Sequence, residues 1–197
     1  MIRLLACLAL LIGIAPALAQ VQLPPGADPQ NTLLIDTKYG RIVIKLRKDI
    51  APKHVERIKL LAREKYYDNV PFHRVIAGFM AQTGDGARGD GTGGSKYPNL
   101  PAEFSNVPFK RGVVGMARAS DPNSANSQLF IMYADGAFLN GKYTVVGEVL
   151  SGMEVVDKIN AGYGEQPDQQ EIQTKGNKYL NAQFPKLDYV TKARITS

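Results

Sequence analysis

The chain has 197 residues, 44% of them hydrophobic and 21% charged, which is ordinary for one globular unit with a single substantial core. Nineteen glycines and twelve prolines exclude a long helical bundle or coiled coil, and a single cysteine excludes a disulfide framework and a thiolate zinc cage. The formal charge of +6 is spread through interleaved Lys, Arg, Asp and Glu without a polybasic block, so it reads as a solvated surface and not as a nucleic-acid stripe.

Met1-Ile2-Arg3 supplies a positive start, Leu4 to Leu18 is apolar apart from Gly13 and Pro16, and Ala17-Leu18-Ala19 offers a small-x-small cleavage site. Residues 1–19 are therefore expected to be a secretory signal, too short in its apolar run for a stable membrane span. Cleavage after Ala19 removes the only cysteine, which suits an oxidising compartment, and the expected location is the periplasm. Residues 20–31, with Pro24-Pro25-Gly26 and Pro29, read as an extended leader to one domain at 32–197.

Within that domain, Thr32 to Thr37 and Arg41 to Arg47 are strand-like runs around Lys38-Tyr39-Gly40, and Ile42, Ile44 and Leu46 mark one buried face. Pro52 opens a helix carrying Val55, Ile58, Leu61 and Ala62, which must stop before Pro71. Further strands are expected at Phe72 to Ile76, Phe79 to Gln82, Val113 to Ala117, Gln128 to Tyr133, Thr144 to Val149 and Leu187 to Ile195. Ser151 with Glu154 three residues on resembles a capping box, predicting a second helix that ends near Gly162. Residues 161–185 read as a surface excursion that packs back before the last strand, where Ile172, Tyr179, Leu180 and Phe184 form a weak apolar stripe on a helix that Gly176 weakens. Many short strands with two helices predict a mainly β fold, a closed or nearly closed barrel capped by helices.

Several motifs fail on context. Gly84 to Gly89 and Gly89 to Gly94 both satisfy G-x-G-x-x-G, but the two prolines in Ser95 to Pro101 deny the helix that a dinucleotide site needs. His54 and His73 are too few and too far apart for a zinc motif, and no local signature supports a triad of Ser127, His73 and Asp85. No metal and no organic cofactor is expected.

The segment from Phe72 to Gln82 is different, because Arg74 sits among aromatic, sulfur and amide side chains. Embedding a guanidinium in apolar surface is costly unless something uses its forked donors. Gln128 to Met132, with Phe138-Leu139, forms a second segment of the same kind. On their own, these residues leave open a barrel core in which Arg74 merely reaches the rim.

From about Thr32 to Ile159 the sequence resembles the cyclophilin family of peptidyl-prolyl isomerases. The blocks that carry the resemblance occur in the family's order: Phe72-His73-Arg74, Gly78-Phe79-Met80 with Gln82, Gly91-Thr92-Gly93-Gly94, Met116-Ala117, Ser127 to Ile131, and Leu139-Asn140-Gly141-Lys142. The resemblance implies an eight-stranded antiparallel β-barrel capped by two α-helices, and an enzyme that rotates Xaa-Pro bonds. It assigns catalysis to Arg74, with Gln82 holding its guanidinium, and the proline pocket to Phe79, Met80, Phe130 and Leu139. His73, Ile76, Ala117, Arg118, Ala119, Gln128, Phe138 and Tyr143 would complete the peptide groove.

This sequence departs from the family pattern at Phe138, where eukaryotic members often carry tryptophan, at Tyr143 for histidine, at Ala77 for proline and at Arg118 for asparagine. The missing indole N–H implies weak cyclosporin binding, and the cation at Arg118 implies a preference for acidic peptides. The expected partners are proline-containing peptides and unfolded exported proteins, met by a monomer. Two rival readings are a proline-peptide binding module without turnover, and an interaction protein whose function lies in residues 161–185.

Overall fold

The computed structural model describes residues 23–85 and 93–196. The expected signal, the first residues of the leader and most of the glycine-rich stretch, Gly91-Thr92 included, lie outside these. The strands are β1 (Thr32–Thr37), β2 (Gly40–Leu46), β3 (Val70–Pro71), β4 (Arg74–Ile76), β5 (Met80–Thr83), β6 (Val113–Met116), β7 (Leu129–Met132), β8 (Val145–Ser151), β9 (Tyr189–Val190) and β10 (Lys192–Ile195). The helices are α1 (Pro52–Arg63), α2 (Met153–Val156) and α3 (Gln169–Gln183).

Eight strands form one antiparallel sheet in the order β10-β1-β2-β8-β6-β7-β5-β4, which curls into a barrel. Its two edges, β4 and β10, are joined by the small β3–β9 pair, since β3 runs into β4 and β9 into β10. The Phe72 N–H donates to the Asp188 carbonyl at 2.8 Å and the Thr191 N–H to the Asp36 carbonyl at 2.8 Å, so the seam is stitched by backbone on both sides. The expected last strand, Leu187 to Ile195, is thus two short strands in different sheets. The chain switches sheets at Thr191.

The barrel core takes the residues that the alternation selects. Ile42 and Ile44 of β2 and Val55, Ile58, Leu61 and Ala62 of α1 are fully buried together with Leu129 and Ile131 of β7. Each valine, leucine or isoleucine among them contributes about 1.5–3 kcal/mol relative to leaving it in water. Helix α1 begins at Pro52, whose missing N–H costs nothing in the first turn. Its N-cap residue, Ala51, has no side-chain acceptor, and Glu103 supplies one from a distant loop. The Glu103 carboxylate accepts the Lys53 and His54 N–H groups at 3.1 Å each and meets His54 Nδ1 at 2.6 Å.

Three local expectations need correction. Ser151 does not cap a helix, because it is the last residue of β8 and pairs with Val43. Gly152 makes the break instead, with φ of +92° and no room for a side chain, since a Cβ there would lie 2.4 Å from the Arg41 carbonyl oxygen. The helix that follows is one turn long, and Val155, Val156 and Ile159 are buried all the same. Residues 23–31 are not simply extended: Pro29 to Asn31 form a 3₁₀ turn capped by Asp28. Finally, the excursion at 161–185 contains a third helix. Asp168 caps it through the Glu171 N–H, and Gly176 (φ 55°, ψ −144°) breaks it midway. Its stripe closes into a small core of its own, where Ile172, Leu180, Phe184 and Leu187 are buried and Tyr163 and Tyr179 meet Phe184 edge-on.

The two histidines of the chain are both buried. Desolvation holds His54 below its ordinary value against the opposing pull of Glu103, and pushes His73 down to about 4. Protons that the unfolded chain binds near pH 6.5 are therefore refused by the folded barrel. Stability is full above that value and falls as pH drops towards about 4 for His73, by up to about 1.4 kcal/mol per pH unit for each histidine. Glu103, held low by His54 and the α1 amides, adds a further loss in stronger acid. Urea unfolding between about pH 7.5 and about pH 5 measures this slope, and a pH-independent midpoint over that range contradicts it.

Candidate active site

The site is one row of the sheet. Across β4, β5, β7 and β6, Arg74 stands opposite Gln82, Gln82 opposite Phe130, and Phe130 opposite Gly115. Directly paired residues share a face, so these groups lie side by side on the outside of the barrel. Met80, two residues before Gln82, adds the neighbouring row, while Ala81, Leu129 and Ile131 point into the barrel core. A second apolar cluster thus forms on the outer face from Met80, Phe109, Phe130, Met132, Leu139 and Val145. Glycine is required at 115, because a Cβ there would sit 2.5 Å from the Phe130 ring and 2.7 Å from that of Phe109. Those two rings stack at 5.7 Å, so Phe109 backs Phe130, which forms the floor.

A hollow of about 280 Å³ opens above this floor. Arg74, Phe79, Met80, Gln82, Ala117, Arg118, Phe130, Phe138, Leu139 and Tyr143 line it, all of them anticipated from the sequence. Leu139 and Phe138 arrive together on a 3₁₀ turn, Ala137 to Leu139. Leu139 is buried, whereas Phe138 is 62% exposed with its ring 5.4 Å from that of Phe79. Tyr143 stands edge-on to Phe130 at 6.0 Å, and the Arg118 guanidinium covers Tyr143 at 4.5 Å. Arg118 also donates to the carbonyls of Lys142, Ala119 and Ser120, which holds its charge at the rim.

A second hollow of about 250 Å³ shares Gln82, Ala117 and Arg118 with the first and adds Ala119 and Gln128. Its remaining wall, Gly93, Ser124, Asn126 and Ser127, was not anticipated. Asn126 makes that wall by accepting the Ser95 N–H at 2.7 Å and donating to the Tyr97 carbonyl at 2.8 Å. No local motif marks such a role, because each partner lies about thirty residues away in sequence.

The polar groups form a directed chain. Arg74 Nη1 donates towards Gln82 Oε1 at 3.4 Å and faces Met80 Sδ at 3.9 Å. Gln82 Nε2 donates to Gln128 Oε1 at 2.7 Å, and Gln128 Nε2 donates to the Gly93 carbonyl at 3.0 Å. The other edge of Arg74, Nε and Nη2, donates to a single oxygen of Glu165 at 2.8 and 2.5 Å. Glu165 belongs to the excursion, 91 residues away in sequence, and nothing in the local pattern points to it.

Two of the expected groove residues are placed otherwise. His73 is buried and lines neither hollow, with neither ring nitrogen in a hydrogen bond of normal geometry. Ile76 packs against the outer cluster and lines neither hollow. The arrangement of His73 also disposes of a Ser127 triad: Ser127 is buried and donates to the Gly84 carbonyl at 2.8 Å. What the site offers is a permanently charged, forked donor at the edge of an apolar hollow, with amides to steer it.

The family model for cyclophilin type peptidyl-prolyl cis-trans isomerases matches residues 32–178. The chain belongs to this family. A probable peptidyl-prolyl cis-trans isomerase of Brucella suis is 57% identical over 159 residues, covering 76% of this chain and 81% of its own length. Peptidyl-prolyl cis-trans isomerase-like 1 of Aspergillus fumigatus is 40% identical over 131 residues, covering 64% and 80%. Among solved structures, the cyclophilin AquaCyp293 from Hirschia baltica superposes with a TM-score of 0.69 at 26% identity, covering 86% of this chain and 75% of its own. A cyclophilin of Cryptosporidium parvum, crystallised in the presence of the dipeptide Ala-Pro, gives 0.67 at 26% identity, covering 84% and 99%. The expected cyclophilin fold, an eight-stranded antiparallel barrel, is therefore the one found, although the described residues form three α-helices where two were expected.

Proposed function

We propose that this cyclophilin groove catalyses rotation about Xaa-Pro bonds in unfolded exported proteins, and so assists their folding in the periplasm. Peptidyl-prolyl isomerisation is the activity of the family to which the chain belongs. The observation that carries the site assignment is the placement of Arg74 and Gln82 in one register row with the floor of the apolar hollow.

The reaction faces a barrier of roughly 18–20 kcal/mol, because twisting the peptide bond breaks amide resonance. No bond is made and no proton is lost. The proline ring enters the hollow over Phe130, between Met80 and Leu139, and leaves water behind. Desolvation favours the twisted amide, which is less polar than the planar one. At the twist the prolyl nitrogen regains a lone pair, and a guanidinium donor fixed beside it binds that state better than the planar one. Gln82 and Gln128 limit where the guanidinium and the peptide backbone can lie. A pure binding module needs the hollow alone and has no use for a directed arginine at its edge.

Exchange of a short Ala-Pro peptide measured by NMR tests this reading. The protein is expected to accelerate exchange, and Arg74→Ala is expected to lose the acceleration by a hundredfold or more, on the order seen when a transition-state donor is removed. Binding without acceleration sinks the enzyme and promotes the binding module. Cyclosporin is expected to bind weakly because Phe138 has no N–H to donate, and Phe138→Trp to tighten it severalfold. As the chain contains no tryptophan, the introduced indole also reports that titration by fluorescence. For the location, N-terminal sequencing of the protein recovered from periplasm is expected to begin at Gln20, and recovery of the uncleaved chain in the cytoplasm contradicts it.

A further inference from the structure

The excursion after α2 returns over the active site. The Val75 N–H donates to the Gly164 carbonyl at 3.3 Å, a one-residue antiparallel bridge on the free edge of β4. The next residue, Glu165, then places one carboxylate oxygen against both Nε and Nη2 of Arg74. The turn that carries it is closed by the Gln166 N–H on the Tyr163 carbonyl at 2.9 Å, and the Tyr163 ring is seated on Phe184. Glu165 is therefore delivered by a braced turn, not by a loose tail.

The donors that Glu165 takes are those on the outer edge of the guanidinium. Nη1, the nitrogen left over, is the one facing Met80 and Gln82 across the hollow. Gln82 cannot fix the guanidinium alone, since its Oε1 meets Arg74 only through a long contact of 3.4 Å. An arginine side chain 36% exposed would otherwise explore many rotamers. A planar fork held along one edge can pivot little about that edge.

We propose that Glu165 is a positioning residue of the isomerase site: its carboxylate holds the outer edge of Arg74 so that Nη1 stays presented to the bound prolyl amide. This rests on Arg74 being the transition-state donor. The ion pair itself is exposed and adds little to folding stability, so the role is visible in turnover and not in melting.

The experiment measures kcat and KM for a neutral Ala-Pro peptide in the wild type, Glu165→Ala, Glu165→Gln and Arg74→Ala, with melting temperatures for each. The ¹⁵Nε–H resonance of Arg74 is followed in parallel. Glu165→Ala is expected to lower kcat about two- to fivefold with KM and melting unchanged, and to move the Arg74 resonance to that of a free arginine. Glu165→Gln keeps an acceptor oxygen at the same place and is expected to restore most of kcat. If Arg74→Ala abolishes turnover while Glu165→Ala leaves kcat intact, the positioning role alone is overturned. A rise of kcat in Glu165→Ala overturns it too, because the carboxylate then competes with substrate for the arginine. Retained turnover in Arg74→Ala overturns the reading of Arg74 together with the role built on it.

Discussion

Everything at the groove depends on strand β7 being apolar on both faces. Leu129 and Ile131 are buried in the barrel and Phe130 and Met132 in the outer cluster, so one strand belongs to two cores at once. The pleat makes this possible, because successive side chains point to opposite faces. It also makes the site a register problem, since a slip of one residue between β5 and β7 would exchange the faces and bury Gln82 where Ala81 now lies. The glycine at 115 follows from the same constraint. Where β6 passes beneath Phe130, only a residue without a side chain leaves room for the stacked floor.

The electrostatics of the groove centre on Arg74. Arg74 opens β4 and is partly exposed, whereas His73, the residue just before the strand, is buried. Burial, reinforced by the charge of Arg74, keeps His73 neutral, so it adds no second positive charge next to Arg74. The opposing charge comes from Glu165 at the outer edge, which leaves the inner edge facing the hollow. Arg118, across the groove, is tied to backbone carbonyls and a tyrosine face. Among the described residues no carboxylate pairs with it, and its charge remains available at the rim.

Where local pattern and tertiary structure agree, the reason is periodicity. The stripe on α1 and the alternation on β2 each pick out residues that are in the core, although Val43 on the other face of β2 is buried as well. Agreement fails where one residue can serve two local roles. Ser151 and Glu154 fit a capping box, yet Ser151 is taken by the ladder to Val43 and the cap passes to Gly152. The stretch Leu187 to Ile195 looks like one strand because its composition is continuous. It divides because the barrel seam needs one half beside β3 and the other beside β1.

The family, the residues that line the apolar hollow and the arginine at its edge could all be read from the linear chain, because they are carried by short blocks whose side chains act where they stand. His73 shows the limit of that reading: its block marks it out, but whether it faces the groove or the interior depends on how the chain packs just before β4. Asn126 and Glu165 could be found only in the folded chain. Each acts through a partner far away in sequence, and the hydrogen bonds that give it a role exist only once the barrel has closed and the excursion has folded back over β4.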